Sequence, residues 1–365
     1  MTDVEQTHPL ARRALRGMKL PPPMLRDAAA GPSSADHASN VNPYGGRYGS
    51  YPPAVPRAVQ ARYAEMVRTL CSRAGWPIDD DVLTAEHVLL TEGSISALDL
   101  LIRAFCEPFK DHVVVTPPTF PFYARASRQN DVRVLEVKLG GHEFDVLSPH
   151  GLVRSSPKLV FLCRPNNPVG TMLPLDIVRQ AADRLPGGLI VIDEAYVEFT
   201  QLESAVSLIK THRNVVVTRT FSKAWGLAGA RVGAAVADPS VLHALRLIQL
   251  TYGVGAPALD LVSAALEDPE RMHANVATIR TSRDAMARQL AQLQVVRRVY
   301  PSEANFLLVE LVDDAVRVAL AEASISVTDT SGDVPHTIRV SVGTDAGNQR
   351  LIEVLRSAGS HSRQK

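Results

Sequence analysis

The chain has 365 residues, more than one ordinary core accommodates and enough for a large α/β domain with a smaller second one. Its 39 Lys and Arg residues stand against 38 Asp and Glu, so no charge excess recruits nucleic acid or an anionic membrane, and a small molecule is the expected partner. The three cysteines, Cys71, Cys106 and Cys163, are scattered and form no CxxC pair, which argues against a disulfide framework or zinc site and for a reducing cytoplasm. The first residues lack an apolar signal core, and no later apolar run approaches the roughly 20 residues that span a bilayer. A cytoplasmic location is therefore expected.

Residues 1–42 contain PPP, GPSS and NVNP without sustained periodicity, which predicts an extended arm packing on the small domain or on a partner subunit. From about residue 84, short apolar strands alternate with amphipathic helices, the signature of a mostly parallel sheet covered on both faces. The predicted strands HVVVT, KLVFLC, GLIVID, NVVVTRT and GARVGAAVA are apolar throughout rather than alternating. A helical stretch follows at about 257–295, and FLLVEL, AVRVALAEA and TIRVSV then form an α+β pattern. The expected division is a large domain over 43–270 and a small one over 271–365.

Four segments carry chemistry. In TEGSISALDLLIRAF a helix begins at Gly93 and Ser94, and its free N–H groups and positive dipole end suit a phosphate, although a Gly-Ser start also serves as a plain cap. In CRPNNPVGT, beyond the strand KLVFLC, Asn167 offers an amide to a cofactor oxygen; the same letters also read as a turn. In GLIVIDEAYVEF, Asp193 ends an apolar strand, where a lone buried carboxylate costs several kcal/mol. A protonated pyridine nitrogen would compensate it, and Tyr196 reaches the same region; the alternative is that Asp193 caps the following turn. In TRTFSKAWGLAGARVG, Lys223 has the small and apolar neighbours that lower an amine pKa and suit a Schiff-base nucleophile. Thr220, Ser222 and Arg231 supply donors for a phosphate dianion, while an isolated Ser-Lys is equally a solvated surface pair.

The order phosphate turn, amide, carboxylate, lysine with arginine decides between these readings. With LLIRAFCEP, VTPPTF, RPNNPVGT, DEAYVEF, RTFSKAWGLAGARVG, SEANFLLVEL and IRVSVGT, the sequence resembles the fold-type I aminotransferases dependent on pyridoxal 5′-phosphate (PLP), and within them the histidinol-phosphate aminotransferase branch, from about Asn40 to Thr344. That resemblance implies an α/β fold, a large domain with a mostly parallel central sheet plus a smaller α+β domain, and a homodimer. It makes Lys223 the Schiff-base lysine, Asp193 the partner of the pyridine nitrogen, and Tyr196 and Asn167 the donors to the ring's phenolic oxygen. The phosphate cup falls on Gly93, Ser94 and Ile95 with Thr220, Ser222 and Arg231 opposite. Phe120 takes the place of the tyrosine that usually stacks on the ring. Arg339 is the expected carboxylate clamp, Tyr44 a substrate-side tyrosine, and Tyr63 a tyrosine that reaches the partner subunit's cofactor phosphate, although R-Y-A replaces the usual R-Y-P.

Two departures bear on the substrate. Asn40-Val41-Asn42-Pro43 replaces N-E-N-P, and Val327-Thr328-Asp329 replaces V-R-D, whose arginine helps to hold the phosphate of histidinol phosphate. The expected activity is ping-pong transamination between an L-amino acid, either histidinol-phosphate-like or non-phosphorylated and specialised, and a 2-oxo acid. A decarboxylase or lyase on the same fold, like the threonine-phosphate decarboxylases, is the alternative. Retention of Lys223, Asp193 and Arg231 argues against an idle binding protein.

Overall fold

The computed structural model describes residues 8–20, 40–42 and 44–361. Helix α1 (Arg57–Arg73) leads into β1 (Val88–Thr91), α2 (Ser94–Phe105), β2 (His112–Val115), α3 (Phe122–Gln129) and β3 (Arg133–Glu136). Next come α4 (Pro149–Val153), β4 (Leu159–Cys163), α5 (Leu175–Arg184), β5 (Leu189–Asp193), β6 (Val215–Thr220), β7 (Gly233–Ala237) and α6 (Pro239–Arg246). These strands form a seven-stranded sheet in the order β1-β7-β6-β5-β4-β2-β3. The run β6-β5-β4-β2-β3 is parallel, and β7 is antiparallel to both β6 and β1.

The continuous apolar strands are buried on both faces, as their composition requires: every residue of β4, β5, β6 and β7 is buried. One apolar cluster fills each side of the sheet. Ile190, Ile192, Val215 and Val217 lie in one, and Val191, Val216, Leu159 and Phe161 lie in the other with Leu98, Leu101 and Phe105 of α2. The two strands absent from the expected set are short. β1 has four residues, and β3 is a partly exposed edge with charged ends.

The helical stretch after residue 256 is two helices, α7 (Ala256–Glu267) and α8 (Pro269–Leu290), broken at Asp268, whose carboxylate accepts from the N–H of Arg271. Beyond α8, β8 (Val296–Val299), β9 (Phe306–Leu311), α9 (Ala315–Glu322), β10 (Thr328–Asp329), β11 (Thr337–Ser341) and α10 (Asp345–His361) build a four-stranded antiparallel sheet, β10-β11-β9-β8, with its own core of Leu307, Val309, Ile338 and Leu351.

One expectation about the arm is corrected. Residues 8–20 pack on the large unit, where Ala11 and Leu15 are buried in the cluster around α2 and the N–H of Arg12 donates to the carbonyl of Ala104 at 2.7 Å. They do not lie on the small sheet. Residues 1–7 and 21–39 of the arm lie outside the described residues.

Candidate active site

The carboxyl ends of β1, β4, β5 and β6 meet at one edge of the large sheet. Register pairs Cys163 with Asp193, Asp193 with Thr218, and Gly233 with both Thr220 and Thr91. A cavity of about 260 Å³ opens there, lined by Ser94, Ile95, Phe120, Asn167, Asp193, Tyr196, Thr220, Ser222, Lys223, Arg231 and Arg339 among others. Residues spread over more than 240 positions of sequence thus share one concavity at the place where α/β sheets bind ligands.

One end of the cavity is built for an anion. Gly93 caps α2 with φ of +78°, and a Cβ there would lie 2.7 Å from Nη2 of Arg231, so only glycine lets the guanidinium approach the helix start. A Cβ on Gly233 would collide with the N–H of Ser94, which holds β7 close beneath the same turn. Arg231 itself has φ of +54°, a left-handed conformation that a non-glycine residue keeps only where its surroundings enforce it. Its Nη1 donates to Oγ of Ser222 at 3.3 Å, and Thr220 Oγ1 donates to the same oxygen at 3.0 Å. Hydroxyls, a guanidinium and a helix N-terminus therefore converge on one small volume.

The other end holds the carboxylate. Asp193 is 4 % exposed; Tyr123 donates to its Oδ2 at 2.8 Å and Thr218 to its Oδ1 at 3.3 Å. Burial nevertheless pushes its pKa up to about 6, against the pull of these two donors. Tyr196 is buried, packs edge-on against Phe306 with centroids 5.1 Å apart, and its hydroxyl accepts from Nδ2 of Asn167 at 3.5 Å. Burial raises its pKa as well, so it remains a phenol and a donor.

Between the two ends stands Lys223, its Nζ 5.6 Å from the centroid of the Tyr196 ring. Its pKa is lowered, first by desolvation and then by the positive charges of Arg339 and Arg231, with Asp193 opposing. A larger fraction is thus the free amine that attacks a carbonyl. Arg339 arrives from the small sheet on β11. Its Nη1 donates to Oδ1 of Asn167, its Nη2 to Oγ1 of Thr328 at 3.1 Å, and its guanidinium lies over Phe306, 5.3 Å from the ring centroid. Its buried Nε has no hydrogen-bond partner.

Two expected residues are not brought to this cavity. Tyr63 is 2 % exposed inside the large core on the buried face of α1, its ring 5.2 Å from Phe221 and its hydroxyl bonded to Arg219, so it is not presented to a second chain. Tyr44 is 93 % exposed and does not line the cavity. Conversely, Tyr123, Thr218 and Cys163 were missed. Tyr123 is fully buried against Phe161 with rings 3° from coplanar, Thr218 sits inside an apolar strand, and Cys163, its thiol pKa raised to about 12 by burial, lines the cavity. Nothing in their sequence surroundings marks them as polar partners of Asp193 or of the cavity.

These residues fit PLP. The Arg231 guanidinium, the hydroxyls of Thr220 and Ser222 and the start of α2 offer the charge and donors that a phosphate needs, and the buried carboxylate with a raised pKa is short of a cationic partner such as a pyridinium. Among the described residues no His, Cys, Asp and Glu cluster could hold a metal ion.

Comparison with known proteins agrees. Residues 57–355 match the family described as aminotransferase class I and II. A histidinol-phosphate aminotransferase of Xanthomonas axonopodis pv. citri is 40% identical over 283 residues, 74% of this chain and 77% of that protein. One of Cytophaga hutchinsonii is 32% identical over 338 residues, 88% of this chain and 97% of that protein. The solved histidinol-phosphate aminotransferase of Sinorhizobium meliloti in complex with pyridoxal-5′-phosphate superposes with a TM-score of 0.68 at 26% identity, covering 85% of this chain and 88% of that one.

Proposed function

The chain belongs to the class I and II aminotransferases and is a PLP-dependent transferase of the histidinol-phosphate aminotransferase-like branch, and from that premise we propose that its amino donor is a non-phosphorylated amino acid with a polar or cationic side chain. The observation that carries this reading is the pairing of Arg339 with Thr328. The two face each other across the β10–β11 ladder, Nη2 of Arg339 donates to the threonine hydroxyl, and among the described residues Arg339 is the one guanidinium besides Arg231 that lines the cavity. One planar guanidinium suits one carboxylate, whereas a phosphate dianion calls for more positive charge. The curated relatives act, by name, on histidinol phosphate.

Position suggests the roles. Gly93, Ser94, Ile95, Thr220, Ser222 and Arg231 would hold the phosphate of PLP; Asp193, whose ionised form is favoured by Tyr123 and Thr218, would pair with the ring nitrogen; Tyr196 and Asn167 would serve the phenolic oxygen; Phe120 would cover the ring. When bound, the cofactor supplies an electron sink that stabilises negative charge at the substrate Cα. Lys223 would carry the cofactor as a Schiff base and, as a free amine, would hold and return the Cα proton as general base; its lowered pKa suits both tasks. Arg339 would grip the carboxylate of the amino acid and then of the 2-oxo acid, so the two substrates take turns in one site, as a ping-pong cycle requires. The 40% identical relatives are aminotransferases by name, and this sets decarboxylation behind transamination.

We further assign a homodimer working in the cytoplasm. The exposed tyrosines Tyr44, Tyr48 and Tyr51 support the first, offering aromatic surface on the segment before α1. Three unpaired, buried cysteines support the second. The test is a panel of amino donors that follows loss of the cofactor's visible band and its return on adding a 2-oxo acid. If no free amino acid bleaches the band while histidinol phosphate does, the substrate assignment fails and the family assignment stands.

A further inference from the structure

A second cavity of about 250 Å³ lies on the opposite face of β6 from the active site. Successive residues of a strand point to opposite faces, and here Arg219 lines this cavity while Thr220 lines the other. Its walls come from the end of α1, the turn after Tyr196 and the first half of α8, with Leu70, Trp76, Leu202 and Met272 giving an apolar surface. At about 250 Å³ it falls just below the roughly 300–1,000 Å³ of drug-sized pockets, so an occupant the size of an amino acid is the natural match.

Two of the lining residues each carry a buried polar atom that has no partner among the described residues, and the two atoms are of opposite sense. Glu198 is 3 % exposed, and its Oε1 accepts no hydrogen bond; the nearest cation is Nη1 of Arg219 at 4.0 Å. Arg219 is already committed to Glu194 at 3.0 Å and to Ser204 at 2.7 Å. Nε of Arg280, on α8, is likewise buried and without a partner. An orphaned acceptor and an orphaned donor each carry a desolvation cost that a bound molecule or ordered water removes. Burial pushes the Glu198 carboxyl up to about 7 against the pull of Arg219 at 4.0 Å, so its ionised form lacks a cation at close range. Arg73 at the rim is paired with Glu270 at 2.7 Å.

We propose that this cavity is a second binding site, distinct from the active site, for an α-amino acid with an apolar side chain. The ammonium donates to Glu198, the carboxylate accepts from Arg280, and the side chain lies against Leu70, Trp76 and Met272. Neither charge alone satisfies both orphaned atoms, and a fully polar solute leaves the apolar wall uncovered.

The test is isothermal titration of L-leucine and L-phenylalanine into the holoenzyme after borohydride reduction, which fixes the cofactor to Lys223 and closes the active site to exchange with amines. One molecule binds per chain, and Glu198→Gln and Arg280→Met each weaken binding by roughly tenfold or more, the effect of losing one charge-assisted hydrogen bond. Leucinol and 4-methylpentanoate, each lacking one of the two charges, bind correspondingly less well. Arg280 is only partly buried on a helix, so Arg280→Met folds even if the change at Glu198 does not. Absence of binding to the wild-type chain means that water fills the cavity and overturns the proposal. Binding that survives Arg280→Met, or a folded Glu198→Gln, or that is matched by either control overturns it equally.

Discussion

The phenol of Tyr123 donates to Oδ2 of Asp193 at 2.8 Å in a space closed to solvent, and burial still holds that carboxyl at a pKa of about 6. The pair is therefore poised for a cation that the protein itself does not provide. In the cofactor-free enzyme the folded state binds this proton more tightly than the unfolded chain does. The stabilisation is complete below about pH 4 and is lost as pH rises through about 6. The interval from 3.8 to about 6 corresponds to roughly 3 kcal/mol at 1.36 kcal/mol per pH unit. Urea unfolding of the cofactor-free protein between pH 4 and 7 shows this slope; Asp193→Asn removes it, and Tyr123→Phe moves it to higher pH by deleting a donor to the carboxylate. A slope of the same size in Asp193→Asn assigns the effect to another group.

The donors to phosphate and the lysine are separate features of the cavity, so their losses separate too. The protein incubated with PLP is yellow. Lys223→Ala abolishes turnover yet still retains PLP, because Gly93, Ser94, Thr220, Ser222 and Arg231 remain. Arg231→Ala weakens PLP binding by roughly 10- to 150-fold, the worth of a hydrogen bond to a charged group. Equilibrium dialysis with PLP measures both variants. Wild-type protein that stays colourless after incubation refutes the cofactor site.

Tyr63 marks the limit of what was legible in the sequence. The order of motifs places Ser94, Asn167, Asp193 and Lys223 in one cavity because each starts a helix, ends a strand or follows one closely, and strand ends in a parallel sheet share an edge; Arg339 joins them from the middle of β11 in the small sheet. A tyrosine on α1 has no such anchor, and whether it faces the core or a second chain depends on the helix's rotation, which its neighbours in sequence do not fix. The same holds for Tyr123, whose use follows from its ring lying on Phe161 of β4 and its hydroxyl reaching Asp193 of β5, and for Arg231, whose left-handed backbone accompanies its approach to Gly93. Of the small sheet, β9 and β11 were legible, whereas the short β8 and β10 were not, and that β10 sets Thr328 against Arg339 is visible only in the register.

Because Tyr63 is a core residue, its replacement acts on stability rather than on a neighbouring subunit's cofactor. Tyr63→Ala costs about 3–5 kcal/mol, as large-to-small changes of buried aromatics do, while Tyr63→Phe costs about 1 kcal/mol by removing the hydroxyl bonded to Arg219. Subunits carrying Tyr63→Phe, mixed with Lys223→Ala subunits, show no complementation beyond the activity the Tyr63→Phe chains already have. Urea midpoints and kcat of the two variants check this. A large fall in kcat of a stable Tyr63→Phe enzyme returns the residue to the active site.

Substrate choice turns on Thr328. Its hydroxyl accepts from Nη2 of Arg339 at 3.1 Å, so this side of the guanidinium meets a neutral group where an arginine would double the positive charge. The two basic residues able in principle to replace that charge are committed elsewhere. Arg164 is 2 % exposed and donates to the carbonyls of Leu173 and Glu203 at 2.7 and 2.6 Å, and Arg125 stacks over Phe122 at 5.5 Å and does not line the cavity. Loss of one charged contact to a phosphate dianion costs roughly 2 to 5 kcal/mol, or about 30- to several-thousand-fold in kcat/KM at 1.4 kcal/mol per factor of ten. Histidinol phosphate is therefore a poor substrate beside a free amino acid with a polar or cationic side chain. Thr328→Arg reverses the order: kcat/KM for histidinol phosphate rises by at least the lower end of that range, and that for the free amino acid falls, because the new guanidinium competes for a carboxylate that Arg339 already holds. Steady-state kinetics of both enzymes on both donors decide it, and a wild-type enzyme that prefers histidinol phosphate by a wide margin shows that Arg339, Asn167 and Thr328 together suffice for the dianion.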